Sequence, residues 1–337
     1  WANKQTDYFA DRSFLLRHKH SLSLLALFVV AIVFSGAGRV LFGDGINYFH
    51  LIPHNKGITT EVFWQAGVDW ILNNFSQGLQ SFNKKLIIDI LVPMKHAYLG
   101  MPVVATFVLV MGLGYIIGGL RSALIVGGFL LFIALTKWWD NALITAYLTS
   151  FAVIVSVIIG ITVGTLCAQN NLASKVILLV CDTFQTFPSF IYLIPVIMLF
   201  GVTDTSVLIA VIVYATIPAT RYTVEGLRNV PQSLQDAGSM SGVNRVQRWL
   251  KIEIPMAFPH IMLGINQTVI FALFMVIIGA FIGGTNDLGQ YIIGALSDKN
   301  GIGNGLMLGL CVAFIGLAVD HLIVTWANQR KAILGLN

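Results

Sequence analysis

Charge is what this chain has least of: 10% of its 337 residues are Asp, Glu, Lys or Arg, against 56% hydrophobic residues. Soluble domains carry about 25% charge, so a surface of this composition has to be covered by lipid. Three cysteines, Cys167, Cys181 and Cys311, lie in or beside apolar segments without paired spacing. They read as small buried apolar residues, not as a disulfide set or a thiolate metal site. His50 and His54 stand four residues apart, but Pro53 intervenes and no further ligand clusters there, so no metal is expected. No Gly-x4-Gly-Lys-Ser/Thr phosphate loop occurs, so the chain is expected neither to bind nor to hydrolyse ATP itself. No zinc-protease motif or Gly-x-Ser-x-Gly elbow is present, and no catalytic residue or cofactor is assigned. The net charge of +5 does not call for nucleic acid, because the basic residues sit at the ends of apolar segments, where orientation signals belong.

What is present is a succession of apolar runs. Residues 21–42, 101–119, 120–136, 143–167, 177–201, 206–218 with its flanks, 261–283 and 305–326 predict eight membrane-spanning helices. The fold class is therefore all-α, a polytopic transmembrane helical bundle. The first run follows a basic segment without a small-residue cleavage site and reads as a span, not a signal peptide. Pro188 and Pro195 interrupt run 177–201 and predict a kinked or broken helix. Residues 61–93 place Val62, Phe63, Ala66, Trp70, Ile71, Phe75, Leu79 and Phe82 at helical spacing opposite Gln65, Asp69, Asn73 and Gln77. This predicts an amphipathic helix, lying either along the membrane or against the bundle. Residues 284–304, rich in Gly and Asn, read as a loop.

With the basic N-terminus (Arg12, Arg17, Lys19) in the cytoplasm, alternation puts Arg121, Lys175, the stretch from Arg221 to Lys251, Arg330 and Lys331 inside. Asp204, Asp287, Asp298 and the pair Trp138-Trp139 fall outside. Lys84, Lys85 and Lys95 also fall outside, against the rule; a miscounted span within 61–119 would account for them.

One wet stretch sits among the spans. Asp236-Ala237-Gly238, three residues, Gly242, nine residues, then Ile252-Glu253-Ile254-Pro255 combines an acid, two small residues, a turn glycine and a proline stop. Asp236 is expected at the N-terminal dipole of a short helix, with Arg245, Arg248 and Lys251 nearer its C-terminal end. Ala237 and Gly238 would let another protein approach the backbone. The pattern resembles the coupling loop of ABC importer permeases, whose form is Glu-Ala-Ala, three residues, Gly, nine residues, Ile-x-Leu-Pro. Asp236, Gly238 and Ile254 depart from that form while keeping charge sign, smallness and apolarity. An ordinary amphipathic loop helix between two spans is the plainer reading.

A second stretch narrows the resemblance. Gln185-Thr186-Phe187-Pro188-Ser189-Phe190-Ile191-Tyr192-Leu193-Ile194-Pro195 and Gly264-Ile265-Asn266-Gln267-Thr268 are similar to motifs of the glycine betaine/proline-betaine importer permeases. The resemblance covers about residues 140–325 and implies the type I permease fold. It divides the chain into 1–100 (an extra span and the amphipathic helix), 101–140 (two accessory spans), 141–327 (the permease core, with coupling loop 221–258) and a tail, 328–337. It implies that Asp236, Ala237, Gly238, Gly242, Arg245 and Pro255 couple to an ATPase subunit. Phe184, Phe187, Phe190, Tyr192, Asn266 and Gln267 are the candidates for a substrate pathway, since a quaternary ammonium needs aromatic faces and cannot donate N–H bonds. Packing aromatics and helix-bridging amides are the alternative for each.

The partners implied are two cytoplasmic ABC ATPase subunits binding ATP and Mg, a second copy of this permease, a periplasmic or lipid-anchored substrate-binding protein, and membrane lipid. The implied cargo is a methylated amine such as glycine betaine, choline or trimethylamine N-oxide. The implied location is the bacterial inner membrane, with both termini cytoplasmic. The alternatives are the same fold carrying another solute, such as an amino acid, or an ATP-independent secondary transporter. Asp320 near the end of the last span is either a helix-pairing acid or a proton relay.

Overall fold

The computed structural model describes residues 23–30, 60–282, 285–299 and 301–335. The basic N-terminus, His50, His54 and most of the expected span 21–42 lie outside the described residues; 23–30 are helical. Contacts separate the chain into two units, residues 1–66 and 67–337. The division falls inside the amphipathic helix, between Ala66 and Gly67. In the first unit, Trp64 Nε1 donates to Thr60 Oγ1 at 3.2 Å where the amphipathic helix opens.

The described elements are all helical. α1 (Glu61–Lys85) continues through a π-helical stretch, Leu86–Leu91, into α2 (Val92–Leu99). The helical path therefore passes Pro93, which the sequence reading takes as its end. The Val92 amide bonds back to Ile87 O, five residues away, and this wider turn admits a proline that lacks a donor.

α3 (Val103–Ala134) has the length of one span but is two antiparallel legs. Gly118 and Gly119 leave helical geometry, Gly119 at φ +68°. The legs then meet so closely that a Cβ on Gly114 would lie 3.1 Å from Ala123 Cα, and one on Gly127 would lie 2.9 Å from Met111 Sδ. Arg121 stands at this turn.

α4 (Trp139–Ala168) is followed by α5 (Asn171–Thr186), whose start is capped by Asn170 Oδ1 accepting from the amides of Leu172 and Ala173. At Phe187-Pro188 the path bends by 106° into a 3₁₀ turn, Ser189–Tyr192, and α6 (Leu193–Phe200). Of the two prolines, Pro188 makes the break; Pro195 sits in the first turn of α6, where its missing amide costs little.

α7 (Asp204–Arg228) is the buried centre of the second unit. Its Pro218 is buried mid-helix and does not end it, because packing against α4 and the later helix Ile254–Ala280 outweighs the lost backbone bond. Residues 221–228 are thus the end of a helix, and the coupling segment starts only after it. Small residues let the neighbours close in: a Cβ on Gly160 of α4 would clash with Ala219 Cβ. The coupling segment itself is α8 (Gln232–Met240), α9 (Arg245–Arg248) and a π turn, Trp249–Glu253, which lead into α10 (Ile254–Ala280). α11 (Leu288–Ser297) and α12 (Ile302–Ile333) complete the chain.

Five described helices are long and apolar enough to cross a membrane, six if the bent pair counts as one. α3 contributes two short legs where the length alone suggests one span. α11 corrects the expected loop 284–304. Its glycines hide the helical pattern, and Gly289 is small because the backbone of Ile277 and the Cβ of Ala280 lie against it.

The bundle has two chemically distinct ends. At one, Gly118 lies against Thr325, Phe258 stacks edge-on with Trp326 at 5.7 Å, and Arg228 Nη1 donates to Ser174 Oγ at 3.0 Å. This end gathers Arg121, Lys175, Arg228, Arg245, Arg248, Lys251, Arg330 and Lys331. At the other, Trp138 meets Tyr291 at 4.6 Å, Asn141 donates to Asn286 O, and Tyr147 donates to Asp204 Oδ2 at 2.8 Å. Lys95 lies here too, 3.8 Å from Asp204. Its place against the charge rule therefore needs no additional span. Tyr98 bonds Ser150 at 2.8 Å, Asn83 donates to Phe200 O at 3.3 Å, and Leu91 is buried. α2 and the end of α1 are thus held against the bundle, whereas Phe63, Trp70 and Phe75 earlier on α1 are exposed.

Asp287 caps α11 by accepting from the Gln290 amide, is fully buried, and has no hydrogen-bond partner for Oδ2 among the described residues. Burial pushes its carboxyl up to about 6. A raised acid pKa means that the folded state holds the proton more tightly. Its stability cost is absent below about pH 4, grows through the interval up to about 6, and is complete above it. The ceiling on that cost is about 3 kcal/mol. Asp287→Asn keeps a cap and removes the charge. In detergent at pH 7 the variant should melt at or above the wild-type temperature, and the wild-type fall in Tm between pH 4 and 6.5 should flatten.

Candidate functional site

The coupling segment is built by local hydrogen bonding. Pro231 precedes α8, and Asp236 falls at its fifth residue, accepting from Gln232 Nε2 at 2.9 Å. This corrects the expectation that Asp236 opens a helix. α8 starts four residues earlier, and the basic residues belong to a second helix that Arg245 begins. Ala237 is exposed, but Gly238 is buried, with a Cβ there lying 2.5 Å from Ile252 Cδ1. Gly238 therefore lets α8 lie on the π turn instead of offering its backbone outward.

α8 ends in a Schellman closure: Gly242 N donates to Ser239 O at 3.2 Å, and Val243 N to Gly238 O at 3.3 Å. It needs a left-handed residue, and Gly242 supplies φ +76°. Asn244 and Gln247 then form a capping box at 2.8 and 3.1 Å. Arg248 ties the corner, donating to Glu253 Oε1 at 3.0 Å and Ser239 Oγ at 3.2 Å. From Arg245 the helix runs unbroken to Ala280, 36 residues, past Pro255. Ile254 N bonds Trp249 O through the π turn, which again accommodates the proline. A 560 Å³ groove beside the segment is lined by Arg228, Arg245, Arg248 and Trp249, among others. Val246 lines it, and Met240 and Leu250 are exposed on the same segment.

The aromatic candidates sit at the bend. Phe184 lies 5.9 Å from Phe187 and 6.0 Å from Tyr192; Tyr192 lies 5.4 Å from Tyr214, and Tyr214 5.0 Å from Phe271. Tyr192 donates to Phe184 O, pinning the bend. Phe190 is exposed and joins no ring contact among the described residues. Asn266 is buried and donates to Asp320 Oδ1 at 2.8 Å, bridging α10 to α12. Its neighbour Gln267 points a third of a turn away, into a cavity with Gln185, Arg221, Glu225 and Phe271. Arg221 binds Asp182 at 2.6 Å, Gln185 at 3.1 Å and Glu225 at 3.0 Å.

Residues 160–332 match the family described as "Binding-protein-dependent transport system inner membrane component". The chain belongs to this family. The transport component has three informative relatives. One is the trimethylamine N-oxide transport system permease protein TmoV of Pelagibacter ubique, 64% identical over 100% of this chain and 47% of the relative. Another is TmoV of Ruegeria pomeroyi, 36% identical over 100% of this chain and 50% of that protein. The glycine betaine transport system permease protein OpuAB of Bacillus subtilis is 31% identical over 61% of this chain and 72% of its own length. The chain spans about half the length of the TmoV relatives.

Of the six pathway candidates, Phe184, Phe187 and Tyr192 meet at the bend, Gln267 enters the neighbouring cavity, and Phe190 and Asn266 lie in neither; Tyr214, Phe271 and Arg221 were not among the candidates. The expected span, 206–218 with its flanks, stops short of Arg221 and Glu225, which the structure holds within α7. The pair Asn244–Gln247 was legible as Asn-x-x-Gln before an apolar run.

Proposed function

We propose that this chain is the transmembrane permease subunit of an ATP-driven importer whose cargo is a methylated amine of the trimethylamine N-oxide or glycine betaine type. The observation that carries the reading is the lever at the basic end of the bundle. An exposed short helix, α8, is fastened by Gly238, Ser239 and Arg248 to a helix that continues without a break into the span α10. Force applied to α8 reaches the membrane as rigid-body movement.

Exposed Met240, Val246 and Leu250 with the basic groove suit docking by two cytoplasmic ATPase subunits that bind ATP and Mg. The chain pairs with a second permease copy around a central pathway, and a substrate-binding protein delivers cargo at the opposite, Asp204-bearing end. The concentration of Lys and Arg at the lever end supports a cytoplasmic side for that end and, with the basic N-terminal sequence, for both termini in an inner membrane. The names of the TmoV and OpuAB relatives support the cargo class.

The test is uptake by proteoliposomes containing this chain, its ATPase and its binding protein. Labelled trimethylamine N-oxide is competed with glycine betaine, choline, dimethylsulfoniopropionate and proline. Competition by one or more methylated compounds and not by proline is expected; no uptake of any methylated compound, despite ATP hydrolysis, removes the cargo assignment.

A further inference from the structure

Three helices each send a pair of polar or aromatic side chains, at helical spacing, to one place. α5 contributes Asp182 and Gln185, α7 contributes Arg221 and Glu225, and α10 contributes Gln267 and Phe271. All of these except Asp182, which pairs with Arg221, line a cavity of about 200 Å³, room for one small solute. Lysine, arginine and acid side chains within spans are costly and face the bundle interior or a water-filled path. Here they converge on a cavity, beside an aromatic ladder that reaches it through Phe271.

The charges are arranged unevenly. Arg221 gives Nη1 to Asp182 and Gln185 and Nε to Glu225, while Nη2 makes no hydrogen bond among the described residues. Two carboxylates against one guanidinium leave the cluster one negative charge in excess. That excess and the Phe271 face attract a cation that has no N–H to donate. Arg221 Nη2 and the Gln267 amide remain as donors for an anionic oxygen on the same molecule. A solute lacking that oxygen leaves both donors unmatched once they are desolvated.

We propose that this cavity is a binding site within the membrane domain for a zwitterionic methylated amine. The anionic oxygen lies on Arg221 Nη2 and the Gln267 amide, and the methyl groups lie against Phe271 in the field of Asp182 and Glu225. The site rests on the importer reading above and adds to it a place where cargo pauses after leaving the binding protein. Its selectivity is for zwitterions over simple quaternary cations such as choline.

The test uses the complex of this chain with its ATPase in lipid nanodiscs, without the binding protein. Saturation-transfer NMR reads contact to the methyl protons of trimethylamine N-oxide and, separately, of choline. Wild type should transfer strongly to trimethylamine N-oxide and weakly to choline. Gln267→Glu replaces an amide donor with a negative charge, so half-saturation by trimethylamine N-oxide should rise about tenfold while that by choline falls about tenfold. Phe271→Ala should weaken both, and Phe271→Tyr should restore them. A general structural lesion would move both ligands in one direction for Gln267→Glu, and that result overturns the site, as does absent transfer in a wild-type complex that imports trimethylamine N-oxide. Import is measured separately, after the same purified complexes are reconstituted with the binding protein into sealed proteoliposomes, so binding with the expected selectivity but no import counts against the importer reading and not against the site.

Discussion

A complex carrying Gly242→Val should hydrolyse ATP at close to the wild-type rate and import its cargo at least tenfold more slowly. Nothing lies within 4 Å of a Cβ at this position, so the substitution meets no clash. Its effect comes from the backbone. The turn holds Gly242 at φ +76°, a left-handed conformation that costs a side-chain-bearing residue about 1–2 kcal/mol and costs a β-branched one most. Relieving that strain opens the Schellman closure from Val243 to Gly238 and frees α8 from the helix that Arg245 begins. The ATPase subunits retain their own chemistry, and their movement no longer reaches α10. Gly242→Asn is the control, because asparagine tolerates the left-handed region and should keep most of the transport. Parallel assays of phosphate release and uptake decide the matter; equal uptake by the valine variant and wild type removes the turn from the coupling path.

Arg221→Ala should have the second large effect. It leaves Asp182 and Glu225 facing each other inside the bundle with no cation between them. Breaking a fully buried ion pair costs about 3–5 kcal/mol, but these side chains are a third to a half exposed and solvent screens them. A loss of about 1–2 kcal/mol remains, and the complex in detergent should melt several degrees lower. Adding Asp182→Asn and Glu225→Gln to the same chain removes the stranded charges and should recover most of the melting temperature. Uptake should stay below a tenth of wild type in both chains, because the donor at Nη2 is gone. Recovery of transport together with stability would make Arg221 a packing residue alone.

Hydropathy made the membrane helices legible because apolar runs of about 20 residues have one stable solution in lipid. It was misled where glycine or proline stood inside a run. Pro218 does not end α7, since close packing against α4 and α10 compensates for the missing bond. Pro93 and Pro255 do not end their helices, since a π turn precedes each. Gly289 and Gly294 made α11 look like loop. The coupling motif was readable from its spacing, yet the direction of its residues was not: Gly238 turns inward and Asp236 sits mid-helix, both set by where α8 begins. The ionic cluster escaped notice because Asp182, Arg221 and Gln267 are far apart in sequence, and only the packing of α5 along α7, from Ser174–Arg228 to Asp182–Arg221, brings them together.

The central claim is that ATP drives cargo through this chain by way of the lever. Uptake of labelled trimethylamine N-oxide into proteoliposomes holding the chain, its ATPase and its binding protein, with ATP trapped inside or omitted, tests it most directly. Accumulation that requires internal ATP and is lost in Gly242→Val is the expected result. Accumulation at the same rate without ATP would contradict the account.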